Sequence, residues 1–391
     1  MKITQGIKLT EEILDNMGCH WHTDPDKSAY ISNEIVEITQ EEADAFYEAG
    51  NELYEMYVEA GDYVIQNDLF FELDIPPSLI EPIKQSWEEE VHWHLYGRFD
   101  FAGGLDGKAI KLLEFNADTP TMLYESAVIQ WAVLKANGMD ENLQFNNIFE
   151  AIGENFQRMI TLGEDISQFD SMYEGWKILF SSIRGSSEEE RTVRFLQEIA
   201  TSYGFDTEFC YVDEASLSGS EGLFLGDQNF EFWFKLIPWE NIAIDEPEMA
   251  SLMAEMMANK NTIFLNPAYT LLFQSKRMLK ILWDLFPNHP FLLESSYEPL
   301  KNKKQVRKTA FGREGENIEI LDSLLQPLES RAGNYGNHKP IYQEFYELNS
   351  FEENFYQANV FFAHESCGLG FRKGGKIIDN YSKFVSHKIL D

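Results

Sequence analysis

Four polar residues at alternate positions, set in two apolar stretches, are the first place where this chain could do chemistry. In GRFDFA, Arg98 and Asp100 stand two apart, and in LEFN, Glu114 and Asn116 do the same. Side chains alternate faces along a strand, so each pair shares a face. Opposed residues of an antiparallel hairpin have a constant index sum. Asp100 with Glu114 and Arg98 with Asn116 both give 214, the register of a loop of three or five residues centred on Gly107. All four groups then share one face as two neighbouring cross-strand pairs. A slip of one residue would scatter them.

Two carboxylates and an amide oxygen side by side form a hard oxygen site. Mg²⁺ prefers such donors and completes its octahedron with waters and substrate phosphates. Crowded carboxylates are costly unless a cation compensates. Arg98 compensates in part, or meets a developing anion. The plainer reading is a solvated strand face with an Arg–carboxylate ion pair.

Phosphates have a candidate site as well. Residues 276–313 carry nine bases against three acids, in a protein whose net charge is −35. A local positive field on an acidic background suits a polyanion such as ATP. KNKK (301–304) reads as a solvated loop, whereas Lys276, Lys308 and Arg313 sit among apolar residues. In FGREGEN, Gly312 and Gly315 flank Arg313 and would let backbone amides approach phosphate oxygens. A GxxxxGK[ST] loop is absent, which argues against a P-loop NTPase.

Several elements must position these groups. The spacing predicts one or two amphipathic helices over 34–66, strands at 94–102 and 108–116, and a helix over 121–138 ending at Gly138. Strands at 176–183 and 206–212 bracket a helix whose expected cap is Ser187, with Glu190 completing a capping box. That strand–helix–strand unit predicts a small α/β layer. A strand over 231–240 ends at Pro238. A helix follows near Ser275–Leu285, then strands around Lys308 and Glu344 and at 359–365 and 370–378. The fold class is α/β (or α+β), with no linker that splits the chain.

Composition narrows the function classes. The surplus of acids repels phosphate backbones and anionic membranes, so nucleic-acid binding is not expected. No run reaches the ~18 apolar residues of a membrane span, and no membrane insertion is expected. Cys19, Cys210 and Cys367 are widely spaced and lack a CxxC pair, so a reducing, cytoplasmic location is expected. Cys19 in GCHWH reads as a packed cysteine in preference to a nucleophile, because nothing orients a base on it. His92 and His94 alternate but lack a third metal ligand nearby in sequence, and read as structural.

Taken together, YGRFDF…LLEFNADTP (96–120), WFKLIPWE (233–240), the block from NPAYTLLFQSKRMLK (266–280) to VRKTAFGREGENI (306–318), and CGLGFR (367–372) resemble the glutathionylspermidine synthase family. The resemblance implies an ATP-grasp fold with an N-terminal pre-ATP-grasp-like α/β region. It implies one catalytic unit over 1–391, with approximate subregions 1–140, 141–240 and 241–391. By position, Asp100, Glu114 and Asn116 would bind the Mg²⁺ ions, two by this resemblance, that hold ATP. Lys276 and Lys308 would hold nucleotide phosphates, Gly312 and Gly315 would frame the loop, and Arg313 would close over the reacting phosphate. Gln343 and Glu344 would lie near adenine. Arg98 and Arg372 would contact the acyl-phosphate region or the peptide, and Thr119 and Thr121 stand where the family has serines that hold the peptide. In EEER (188–191), Glu189 and Glu190 match an acidic peptide-binding segment, or simply fill a first helical turn where the helix dipole favours acids. Thr309 departs from the family, which commonly has proline there, and the chain is too short for the amidase domain fused to some members.

The expected activity is therefore ATP-dependent ligation of a peptide or amino-acid carboxylate to an amine, with glutathione and spermidine as one possible pair. Two alternatives stay open: a non-catalytic protein that binds ATP and peptide, and a small-molecule phosphotransferase.

Overall fold

The computed structural model describes residues 1–163 and 165–390. Four sheets carry the architecture. The largest has eight strands and draws on both ends of the chain. Lys2–Gln5, Ile31–Ile38, Lys383–Ile389, Glu365–Gly374, Asn354–Ala363, Gly97–Ala102 and Lys111–Asn116 follow one another across it, and Asn349–Phe351 pairs with Asn354–Ala363 off that path. A parallel sheet of four strands, in the order Ile263–Leu265, Phe232–Lys235, Lys177–Ser182 and Asp206–Tyr211, forms the small α/β layer. A five-stranded antiparallel sheet contains Gln305–Thr309 and Pro340–Glu344. A three-stranded meander, Ser216–Phe230, completes the set. Among the described residues, no helix is long and apolar enough to cross a membrane.

The hairpin of Gly97–Ala102 and Lys111–Asn116 has the register read from the index sum: Asp100 faces Glu114 and Arg98 faces Asn116. The means differ from the expectation. The connection runs over residues 103–110, an even-numbered loop whose flanking pair, Ala102 with Lys111, has an index sum one short of that register. A bulge between Asp100 and Phe101 restores it, pairing Phe101 with Leu112 and leaving Leu113 over. An extra residue on one strand shifts the facing pattern beyond it.

The hairpin's other face is apolar. Phe99 and Phe115 stack with centroids 3.9 Å apart. They pack under the helix Gln40–Gln66, whose Tyr57 lies 5.1 Å from Phe115. The helix begins where Thr39 and Glu42 form a capping box. It lies close on the sheet because residue 50 is glycine: a Cβ there would fall 2.2 Å from Ser366 Oγ.

Several sequence expectations are corrected. Residues 34–38 belong to a strand, because Ile35–Ile38 pair in parallel with residues 386–389, a partner invisible to local periodicity. The helix after the hairpin contains a π-turn at Glu125–Ile129 and ends at Ala136. Ser186, not Ser187, caps the next helix, accepting from Glu189 N; Glu190 is not part of a capping box. The helix expected near 275–285 begins at Met278, and a separate short helix, Thr270–Gln274, precedes it. The last two expected strands are longer and earlier, Asn354–Ala363 and Glu365–Gly374.

The stacked pair should support the site from below. Phe115→Ala is expected to cost ~3–5 kcal/mol in urea unfolding. A loss under about 1 kcal/mol would show that the stack is not the hairpin's support.

Candidate active site

The polar face of the hairpin forms the floor of a cavity. Arg98 grips Asp100 through both ends of its fork, with Nε–Oδ1 at 2.7 Å and Nη2–Oδ2 at 2.9 Å. Its Nη1 donates to the Thr121 carbonyl at 2.9 Å. The Asn116 amide donates to Asp100 Oδ2 at 3.2 Å and to Glu114 Oε1 at 3.4 Å. From the next strand, Asn359 donates to Asp100 Oδ1 at 2.7 Å, and its own Oδ1 is buried without a partner. Asn359 faces Asp100 across the sheet. Its pairing partner is 259 residues away, so sequence reasoning had no local signal for it.

Two lysines close the floor from the basic stretch. Lys276 Nζ lies 3.2 Å from Glu114 Oε2 and donates to the Gly312 carbonyl at 2.6 Å. Lys308 Nζ donates to Gln343 Oε1 and to the Leu113 carbonyl, each at 2.9 Å. The bulge supplies that last contact, because Leu113 has no ladder partner and its carbonyl is free to accept. Burial raises the Glu114 carboxyl, but Lys276, Lys308 and Arg98 outweigh it and hold the group down at about 2. Burial also pulls the Lys308 ammonium down to about 8, against the attraction of Glu114.

The loop after Gln305–Thr309 covers the cavity. Gly315 has φ +71°, and a Cβ there would sit 2.4 Å from the Ile378 carbonyl, so the loop packs against that backbone only as glycine. Arg313 Nη1 donates to Thr119 Oγ1 at 3.2 Å and Nη2 to Glu240 Oε1 at 2.7 Å. On the far wall, Arg372 Nη2 donates to the Asp379 carbonyl at 2.6 Å, while its Nε is buried without a partner. Leu113, Val306, Ile318, Ile320 and Leu348 form an apolar strip beside Gln343 and Glu344.

Every candidate residue named from the sequence lines this one cavity except Glu190. The Glu190 carboxylate instead takes Arg194 at 2.8 Å and the Tyr211 hydroxyl at 2.9 Å. Of the acidic run, Glu189 reaches the cavity, with Oε2 buried and unpartnered. The buried Asp118, Lys235 and Glu240 beneath the loop were missed. WFKLIPWE contains two of them, but nothing in a strand followed by proline marks them as charges turned inward.

Cys19 is buried, and burial pushes its thiol up, so it is no poised nucleophile. His94 is fixed by the Ala117 carbonyl at 3.0 Å and the Tyr54 hydroxyl at 3.1 Å, and burial pulls it down to about 4, a structural role.

The hairpin donor set fits a hard divalent cation. Asp100 and Glu114 offer carboxylate oxygens and Asn116 an amide, and the acids already demand the positive charge of Arg98 and Lys276. Among the described residues no three His, Cys, Asp or Glu side chains converge as a metal cluster. Two acids and an amide suit a metal that keeps waters and takes further oxygens from a nucleotide.

In the unfolded chain the Glu114 carboxyl returns to about 4.5. Because its folded value is depressed, its stabilisation is present above 4.5 and lost as pH falls toward 2. Thermal melts over that interval should show a shallower acid loss in Glu114→Gln than in the wild type. Equal slopes would contradict the assignment of its charge to the lysine pair.

A family model described as glutathionylspermidine synthase preATP-grasp matches residues 1–390. A putative acid–amine ligase of Haemophilus influenzae is 31% identical, over 97% of this chain and 96% of its own. The bifunctional glutathionylspermidine synthetase/amidase of Escherichia coli is 26% identical over 91% of this chain, which spans 61% of that enzyme. Trypanothione synthetase of Crithidia fasciculata is 24% identical over 76% of this chain and 47% of its own length. Among solved structures, a glutathione synthetase-like effector from Globodera pallida superposes with a TM-score of 0.58, at 11% identity over 98% of both chains. That likeness sets the fold among glutathione synthetase-like ATP-grasp proteins. With the family model spanning nearly the whole sequence, the chain belongs to the glutathionylspermidine synthase preATP-grasp family.

Proposed function

We propose that this protein is an ATP-dependent ligase that joins a carboxylate to an amine. The observation that carries the reading is the convergence, in one cavity, of hairpin oxygen donors, two buried lysines and the loop arginine. The likeness to a putative acid–amine ligase over nearly the full length of both chains supports it.

In this reading the apolar strip of Leu113, Val306, Ile318, Ile320 and Leu348 receives the adenine, with Gln343 and Glu344 at its edge. Lys276 and Lys308 bind the phosphates, exchanging their present carbonyl and carboxylate partners for phosphate oxygens. Asp100, Glu114 and Asn116 would hold Mg²⁺, which when bound neutralises phosphate charge. The substrate carboxylate attacks the γ-phosphorus, releasing ADP and forming an acyl phosphate. The amine then attacks the acyl carbon, and inorganic phosphate leaves as the amide forms.

Arg98 suits the oxyanion of that second step. Three of the five N–H groups of a guanidinium are bonded here, to Asp100 twice and to Thr121 once. Two remain for a ligand, on a side chain locked by its fork to Asp100. Arg313 and the glycine-rich loop shield the acyl phosphate from water. No protein nucleophile is required.

The carboxylate partner is a peptide or amino acid, met by Thr119, Thr121, Glu189 and Arg372. The strongly acidic surface favours a cationic amine such as a polyamine. Glutathione and spermidine are the pair suggested by the names of the relatives.

Three outcomes are expected. Mass spectrometry of reactions with a peptide and polyamine panel should show an amide together with ADP. A phosphorylated small molecule without condensation would make the protein a phosphotransferase, and ligand binding without turnover would make it a sensor. Asp100→Asn should abolish Mg²⁺-dependent turnover while the circular dichroism spectrum stays native; wild-type rates would remove the metal assignment. Arg313→Ala should lower kcat by about 10²–10³-fold with modest change in ATP affinity, and wild-type kcat would reduce the loop to scaffolding.

A further inference from the structure

Beneath the loop lies a group of charges that the reaction as proposed does not use. Glu240 is 1% exposed. Its Oε1 accepts from Arg313 Nη2 at 2.7 Å, and its Oε2 is buried without a hydrogen-bond partner. Beside it, Asp118 and Lys235 lie 3.8 Å apart with both side chains fully buried. Asp118 Oδ2 takes the Trp239 backbone N–H at 2.9 Å, and Lys235 Nζ donates to the Ile237 carbonyl at 2.7 Å. Two acids and two bases thus balance, but three of the four belong to the body of the protein. Only Arg313 is borne by the loop.

We propose that Glu240 is a positioning residue that latches the glycine-rich loop shut through Arg313 before any ligand binds. The inference rests on the reading of Arg313 as the residue that meets the reacting phosphate. Its physical basis is charge balance. If the loop swung out, Asp118 and Glu240 would face Lys235 alone in a buried site, and removing one partner of a buried ion pair is strongly unfavourable. The balance therefore holds the loop closed.

Arg313 also donates to Thr119 Oγ1 at 3.2 Å, but that acceptor is a neutral hydroxyl and offsets no charge. Other ties on the loop do not serve the same purpose. Gly312 is tied by its carbonyl to Lys276 Nζ, at 2.6 Å, but that lysine turns to a nucleotide phosphate in the proposed reaction. Glu316 and Asn317 accept from the backbones of Asn334 and Tyr335 at 2.8 and 2.7 Å, which fixes the loop's end to a neighbouring loop and not to the cavity floor. The Glu240 bond survives nucleotide binding and ties Arg313 to the body of the protein. Glu240 is itself firmly seated, because the adjoining Trp239 is buried with its indole N–H on the Asn266 carbonyl at 3.0 Å. Two of the five N–H groups of the latched guanidinium are bonded, to Thr119 and Glu240, which leaves three for a ligand.

Hydrogen–deuterium exchange of the ligand-free full chain tests the latch. Glu240→Gln keeps the shape and removes the charge. The amides of 311–317 should exchange at least about tenfold faster than in the wild type, with the hairpin amides of 97–116 unchanged. In the ligase assay the same variant should lose kcat with little change in KM for ATP, because Arg313 is less often in place. Exchange of 311–317 at the wild-type rate would overturn the proposal. Should Glu240→Gln not fold, Arg313→Gln removes the same bond from the loop side. Faster exchange of 314–317 would then support the latch, and wild-type exchange would overturn it. Because exchange is read without ATP or substrates, a failed latch and a failed ligase reading give separate signatures.

Discussion

Two carboxylates placed in a buried cavity cannot remain charged without positive charge beside them, and the site is built around that constraint. Asp100 has the fork of Arg98 and Glu114 has Lys276, with Lys308 close behind. The same rule governs the cover, where Asp118 and Glu240 are offset by Lys235 and Arg313. On the floor the Glu114 carboxylate and the Lys276 ammonium face each other across the cavity's polar surface, whereas Asp118, Lys235 and Glu240 are buried beneath the loop. A pocket of this kind favours a ligand that carries both signs, as a metal-bound nucleotide does.

The fold delivers these charges by giving the hairpin two unlike faces. Aromatic rings stacked under the helix Gln40–Gln66 make one face immobile. The polar residues opposite inherit that rigidity, which functional groups need for fixed geometry. The bulge then serves twice. It corrects the register so that acids face one another, and it releases the Leu113 carbonyl to hold Lys308. Chemistry and backbone irregularity meet at one residue, as bulges next to functional sites commonly do.

Much of this was legible. The alternation of Arg98 with Asp100 and of Glu114 with Asn116 contains the register, because a period of two leaves few ways to bring four polar groups to one face. The basic stretch stood out because the remainder of the chain is so acidic. What escaped was long-range. Asn359 reaches Asp100 only through a strand pairing between distant segments, and residues 34–38 become a strand only because the C-terminal strand lies beside them. Glu240 fell at the end of an expected strand, whereas the strand stops at Lys235 and a helix, Trp239–Asp245, starts just before this residue. Glu190 misled for a related reason. In a run of acids, the face each occupies depends on the cap, and the cap is Ser186, one residue earlier than expected.

In the proposed reaction the hairpin oxygens meet the nucleotide through a divalent cation. Calorimetric titration of ATP into the protein, with Mg²⁺ present and with Mg²⁺ chelated, addresses it most directly. Binding should be at least about tenfold weaker without the cation, with no such difference in Glu114→Gln. Equal affinity with and without Mg²⁺ in the wild type would contradict it.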